Sequence, residues 1–343
     1  MENLEYLRTR SVHTAGIKEG LREFIRFSRF SEWHSGKMPQ ILGFVFLTIV
    51  AVPQSNFRLA WVGWVYLLSL LFLASEYMLN NLADLEQDIK ANKVKDSACF
   101  SRRSKVLSVV LCCVAGLGLG FAILPVKAAV AMVICYLFGW SYSFGPRFKE
   151  RLALGPIVSA AAQVPAPLVV IAVAMETFSV VAFIYIVVMF LYGIRMLLVH
   201  QLIDRNHDLL TGTRTTAVML GASKTKVILK VGFIIELITT LSLVFLLAYL
   251  NYVPWFLFVP LMWPVVVLIV RYAQGRLVCL DTYLYIPLGD IHESVLPVIL
   301  AFAAASVGGH DLLVASLLMV FLFLSHHYER LVSPMVRWEQ SDE

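Results

Sequence analysis

Ten apolar runs separated by short polar stretches constrain what this chain can fold into. They cover about residues 41–53, 59–79, 106–124, 126–144, 152–175, 178–200, 227–250, 255–270, 294–307 and 312–324. A helix needs roughly 20 apolar residues to cross a bilayer. The runs 41–53, 294–307 and 312–324 are short for that task, so nine or ten spans are expected. Charged residues make up 15% of the 343, against roughly 25% in a soluble domain. In hydrocarbon each backbone N–H and C=O must be satisfied internally, which leaves helices for runs of this length. The expected fold is therefore all-α, a polytopic transmembrane helix bundle around a central cavity. Residues 39–328 form this domain, after an amphipathic cytoplasmic segment 1–38 and before a cytoplasmic tail 329–343.

Charge fixes the expected orientation. With the N-terminus cytoplasmic, 25 of the 28 Lys and Arg fall on the inner side. Arg58 and Lys127 face out, and Arg195 lies within a span. So lopsided a distribution over short loops is a positive-inside signal. The net charge of +5 then reports topology and contact with anionic membrane lipids, with no nucleic acid as partner. The first 38 residues lack the leading apolar core of a cleavable signal peptide, and Leu21 to Phe30 alternates Arg with Phe, Ile and Leu like an interfacial helix. The five cysteines, Cys99, Cys112, Cys113, Cys135 and Cys279, show no ligand spacing. P-loop, dinucleotide, zinc and nucleophile-elbow patterns are absent, which argues against chemistry driven by ATP or NAD.

Polar chemistry gathers at the inner ends of two runs. Asn80, Asp84 and Asp88 stand at i, i+4 and i+8, so one helical face carries an amide and two carboxylates. Asp204 and Asp208 repeat the spacing at the end of the run 178–200. Such acidic sets at the mouth of an apolar bundle are costly without cations between them. Oxygen-rich sets of this kind suit Mg²⁺, which takes a few carboxylates, waters and substrate phosphates. Four carboxylates and a diphosphate of roughly three negative charges, set against two Mg²⁺, leave about three negative charges for Lys and Arg. Lys90, Lys93, Lys95, Arg102 and Arg103 follow the first motif, Arg205 and Arg214 accompany the second, and Arg147 and Lys149 lie between them.

In this order the motifs resemble those of the UbiA superfamily of intramembrane prenyltransferases. The family's NDxxDxxxD is matched by Asn80, Asn81, Asp84 and Asp88, and its DxxxD by Asp204 and Asp208, followed by Gly212-Thr213-Arg214-Thr215-Thr216 and Gly221. Between them, Tyr142 to Lys149 resembles the family's Tyr-Ser-x-x-Pro-x-x-x-Lys stretch. The likeness runs from about residue 30 to 250, and Asn81 departs from it, since the family usually has Asp there. The resemblance implies that Asn80, Asp84, Asp88, Asp204 and Asp208 bind Mg²⁺, and that Asn81, Lys95, Arg147, Lys149, Arg205 and Arg214 hold a diphosphate. Asp84, Asp88, Asp204, Asp208 and Tyr142 then carry the reaction. It also implies transfer of a prenyl group from an allylic polyprenyl diphosphate to a lipophilic or small-molecule acceptor, within the membrane and on its cytoplasmic side. The same metal site would serve a terpene cyclase, in which the substrate's own double bonds quench the cation. A transporter would not need two spaced Asp pairs with cations beside them.

Other polar groups in the spans carry two readings each. Tyr66, Tyr77, Tyr136, Tyr142 and Tyr192 line a cation chamber or simply pack. Glu76, one turn before Asn80, extends the site as a base or is a buried group paired with Arg195 or with a backbone partner. His200 orients Asp204 or sits at the interface. Glu293, with Asp290 and His292, favours a helix N-terminus or serves the acceptor. The topology is checked by cysteine labelling in a cysteine-free background: sites beside Lys93, Lys149 and Arg214 should react from the cytoplasmic side and stay silent from outside.

Overall fold

The computed structural model describes residues 17–52, 59–90, 101–262, 289, 291–308, 312–318 and 320. Among these every regular element is helical. Two short helices, α1 (Ile17–Phe27) and α2 (Phe30–His34), precede α3 (Lys37–Ala51), α4 (Leu59–Lys90), α5 (Arg102–Ile123) and α6 (Val126–Ser143). A 3₁₀ turn, Phe148–Glu150, leads to α7 (Leu154–Gln163), α8 (Pro165–Ala174) and α9 (Val180–Ile203). Then come α10 (Arg205–Thr211), α11 (Thr216–Leu220), α12 (Ala222–Tyr249), a π turn at Ile291–Val295 and α13 (Leu296–Gly308).

Five of these helices are long and apolar enough to cross a membrane: α5, α6, α9, α12 and the stretch Ala60–Leu85 of α4. A sixth span forms if α7 and α8, bent by 43° at their junction, count as one. Pro165 is the cause, because it opens α8 without an N–H to donate and its ring clashes with the preceding turn. The run 255–270 begins as a 3₁₀ segment, Trp255–Met262, interrupted by Pro260, and the rest of it lies outside the described residues. The run 312–324 is described only in part. The expected helix over Leu21 to Phe30 is instead two pieces, broken where Arg29 adopts the left-handed φ of 52°. The Trp33 indole fills the break by donating to the Ser28 carbonyl at 2.7 Å.

The short run 41–53 is explained by its position. In α3 every residue from Met38 to Val50 is buried, so the helix is apolar on all sides and sits inside the bundle. Its neighbours approach closely at Gly43, where a Cβ would meet the Tyr185 hydroxyl at 2.8 Å and the Pro297 Cα at 3.1 Å. Small residues at such crossings are how helices gain contact where lipid removes the hydrophobic drive. The Tyr185 hydroxyl donates to the Gln40 carbonyl at 2.8 Å, which ties α9 to the same crossing.

Three charged or titratable groups lie deeper still. Arg195 of α9 forms a two-point ion pair with Glu236 of α12, Nε to Oε2 at 2.6 Å and Nη2 to Oε1 at 2.9 Å. His292 Nε2 meets Glu236 Oε1 at 3.0 Å, and all three side chains are at most 1% exposed. Arg195 is thus held by Glu236, not by Glu76. Breaking such a pair strands one charge in a low-dielectric interior and costs about 3–5 kcal/mol, whereas replacing both partners with apolar residues costs far less. Glu236→Ala should lower the detergent-phase Tm sharply, and Arg195→Met combined with Glu236→Leu should recover most of the loss.

Candidate active site at the inner ends of the helices

The first motif closes α4. Ser143, the last residue of α6, donates its hydroxyl to Asn80 Oδ1 at 2.7 Å, which joins the two helix ends. The chain then reverses through two left-handed residues, Gly145 at φ 64° and Arg147 at φ 52°. Glycine takes that conformation freely, while at Arg147 it is strained and must be held by its surroundings. The hold is visible: Arg147 Nε lies 2.7 Å from Glu150 Oε1, and Nη2 lies 3.6 Å from Asp84 Oδ1. This reversal drops Lys149 onto Asp84 as an ion pair, with the lysine side chain only 9% exposed. Asp84 therefore has two protein cations on one carboxylate oxygen.

Asn81 faces elsewhere. Its amide donates to the Phe27 carbonyl at 2.8 Å, satisfying one of the orphan acceptors at the C-terminal end of α1. Asp88 ends the same stripe on the backbone of α4, with its side chain outside the described residues, as are Lys93 and Lys95. Glu76 packs against Gly139 of α6, where a Cβ would collide with its carboxylate, and its Oε1 is buried without a hydrogen-bond partner among the described residues.

The second motif lies at the C-terminal end of α9. Asp204 is the hinge, capping the C-terminus of α9 and opening α10. Asp208 Oδ2 accepts the Thr215 hydroxyl at 3.0 Å, and the Asp208 carbonyl accepts Thr213 N–H at 2.9 Å across the left-handed Gly212. Arg205 turns back to the Ala217 carbonyl at 3.3 Å, and Arg214 is exposed. Thr216 of α11 donates to the Leu152 carbonyl at 2.6 Å, which pins this loop against the segment that follows Lys149. Tyr142, in the last turn of α6, is hydrogen-bonded to Ser159 of α7.

No three His, Cys, Asp or Glu side chains among the described residues converge tightly enough to cage a metal ion. Mg²⁺ is ordinarily bound by one or two carboxylates and completed by waters and substrate phosphates, so a full protein cage is not required of it. The donor set is all oxygen, and Lys149 and Arg147 occupy the position beside Asp84 that a bound cation would share. The residues present fit the ion. Ser143, Thr215 and Ser159 stand beside Asn80, Asp208 and Tyr142, and the spacing of the acidic groups gave no sign of them, because their roles depend on how loops far apart in sequence come together.

The chain matches the UbiA prenyltransferase family over residues 41–278. No curated protein matches its sequence. Its fold is similar to that of a UbiA homolog from Archaeoglobus fulgidus bound to GPP and Mg²⁺, with a TM-score of 0.60 and 18% identity over 83% of this chain and 99% of that one. The same homolog bound to DMAPP and Mg²⁺ superposes with a TM-score of 0.54 at 17% identity, covering 91% and 99%. A digeranylgeranylglyceryl phosphate synthase is similar at a TM-score of 0.56 and 14% identity, covering 84% and 99%.

A metal bound at Asp84 would meet Lys149 on the same oxygen, so removing the lysine should strengthen cation binding. Mn²⁺ binding followed by electron paramagnetic resonance should tighten by roughly three- to tenfold in Lys149→Met, the worth of one partly exposed ion pair, and should weaken in Asp84→Asn. Equal Mn²⁺ affinity in all three proteins would remove Asp84 from the cation site.

Proposed function

The chain belongs to the UbiA prenyltransferase family, and from that premise we propose that it transfers a prenyl group from an allylic polyprenyl diphosphate to an acceptor, with Mg²⁺, inside the membrane. The observation that carries this reading is the pairing of Asp84 of the first motif with Lys149 and Arg147, while the loop of the second motif, with Asp208 bonded to Thr215, is pinned by Thr216 to the segment that follows Lys149. A prenyltransferase must bind a polyanion at the surface and keep a carbocation dry below it. The helix ends supply the first requirement and the apolar bundle the second.

Asn80, Asp84, Asp88, Asp204 and Asp208 hold Mg²⁺ in this reading. When bound, the metal neutralises the charge that grows on diphosphate as the allylic C–O bond breaks. Lys149 and Arg147 orient the same leaving group and exchange their pairing with Asp84 for phosphate oxygens, helped by Arg205, Arg214 and Lys95. The Asn81 amide contributes through the N-terminal helix that it caps. Tyr142 presents its ring and hydroxyl between the two acidic motifs, where an aromatic face stabilises an allylic cation. In this reading nine or ten spans in residues 39–328, with segments 1–38 and 329–343 outside them, place the site on the cytoplasmic side, which the distribution of Lys and Arg supports.

The test is turnover of geranyl, farnesyl and geranylgeranyl diphosphate by purified protein. Diphosphate release should need Mg²⁺, stop with EDTA, and fall at least about 100-fold in Asp84→Ala and in Asp208→Ala, since each removes a ligand aimed at the leaving group. Both variants should remain folded, because neither residue packs in the core. Turnover near the parent level in either one, at saturating Mg²⁺, would defeat the reading. Cyclic hydrocarbon released without any acceptor would assign the chain to the terpene cyclases instead.

A further inference from the structure

A second polar cluster lies beside the diphosphate site, built from residues with no part in binding metal or phosphate. Lys37 stands in the first turn of α3, with its ammonium 5.0 Å from the centre of the Tyr77 ring and donating to Gln163 Oε1 at the end of α7. Gln163 donates in turn to Ser159 at 3.0 Å, and Ser159 is bonded to Tyr142. A continuous chain of side chains thus joins the Lys37 ammonium to Tyr142 in the last turn of α6. Across from it, Glu293 projects from the π turn that precedes α13, and its Oε1 accepts the Tyr192 hydroxyl. The carboxylate rests against Gly36, where a Cβ would stand 2.9 Å from Oε1, and it attracts Lys37 electrostatically. Its neighbour His292 is locked to Glu236, so the turn that carries Glu293 is fixed by a fully buried contact.

Given prenyl transfer as the reaction, we propose that Lys37 and Glu293 form the acceptor's binding pole, with Glu293 taking the proton that the acceptor loses and a neutral hydroxyl compound as the acceptor. One ammonium and one carboxylate cancel in charge, so a carboxylated or phosphorylated head would meet Glu293 and a cationic one Lys37. A hydroxyl satisfies both: it accepts from the ammonium and donates to the carboxylate. As the allylic C–O bond breaks, its electron pair leaves with diphosphate. The acceptor supplies the pair for the new bond, from the hydroxyl oxygen or, in a phenol, from a conjugated ring carbon, whose own proton then returns to the oxygen as the ring regains aromaticity. The hydroxyl proton passes to the Glu293 carboxylate, and Tyr192 keeps that carboxylate aimed. A π turn at this point is in keeping with the frequent placement of such turns at working sites.

The experiment follows the fate of the geranyl group when purified full-length protein turns over geranyl diphosphate with Mg²⁺. Hydroquinone serves as the neutral acceptor, with 4-hydroxybenzoate and glycerol 1-phosphate as anionic ones, and the readout is the ratio of acceptor adduct to geranyl alcohols formed with water. Parent protein should give adduct with hydroquinone in preference to the anionic compounds. Glu293→Gln should lower the adduct-to-alcohol ratio by about 100-fold, the lower end of what a positioned base contributes. Lys37→Met should lower it by about tenfold, and Glu293→Asp, which keeps a carboxylate, should retain a good part of it. A merely structural Glu293 would depress adduct and alcohols together and leave the ratio unmoved, and that result would overturn the proposal, as would a parent protein that takes only the anionic acceptors or gives no adduct. Failure of the parent to release diphosphate from any prenyl substrate would instead overturn prenyl transfer itself. Should Glu293→Gln not fold, the ratio in Lys37→Met and Glu293→Asp decides, and parent-like values in both overturn the proposal.

Discussion

An ion in a low-dielectric bundle must have a counter-ion, and the arrangement of this protein follows from that requirement. The unscreened cost of an isolated charge there is several kcal/mol even after relaxation. Arg195 is therefore met on two atoms by Glu236, and the same carboxylate receives His292 from the turn before α13. This single cluster draws α9, α12 and the segment leading into α13 together. The second motif ends α9, so the buried cluster also sets the height and rotation at which Asp204 and Asp208 emerge. Asp84 follows the same rule at the surface, where Lys149 and Arg147 provide the charge that a metal and phosphate would otherwise balance.

Backbone strain sits where this pairing demands it. Four non-glycine residues carry positive φ among the described residues, and one of them is Arg147, in the reversal that brings Lys149 to Asp84. A relaxed turn at that point would carry Lys149 past the end of α4. The conformation persists because Arg147 is held on both sides, by Glu150 and by Asp84. Ser143 and Thr216 act in the same sense, fastening one helix end to another and the loop of the second motif to the segment that follows Lys149.

Much of this was legible in the sequence. The apolar runs predict helices, the i, i+4 spacing of Asn80 and Asp84 predicts one shared face, and the Tyr142 to Lys149 stretch predicts a link between motifs, because each depends on neighbours in sequence. Contacts between distant residues were not legible. Arg195 stood within an apolar run with Glu76 as a candidate partner, and nothing in the spacing pointed to Glu236, more than forty positions away. Asn81 reads as a site residue from its motif, whereas its amide is engaged with Phe27, more than fifty positions earlier. Lys37 reads as one more inner-side charge in the N-terminal segment. Its place beside Gln163 and Tyr77 depends on α3 lying inside the bundle, which follows from packing on all sides of the helix and from no local pattern.

The break between α7 and α8 explains how an ammonium is tolerated there. A continuous span through Pro165 would carry its carbonyls past this level already paired within the helix. Because α7 stops at Gln163, its C-terminal end lies within the bundle, with the last carbonyls unpaired by the helix and the negative pole of its dipole beside Lys37. Irregular backbone at membrane depth survives only where protein covers it or a cavity borders it. The same proline that shortens α7 thus ends it on a polar residue, turns its dipole to use, and gives Lys37 a partner where lipid-facing helix would offer none. A cation held this way faces Glu293 while it also meets the Gln163 amide and the Tyr77 ring. Such a distributed hold leaves the ammonium able to turn toward a third group, which is the property an acceptor site needs.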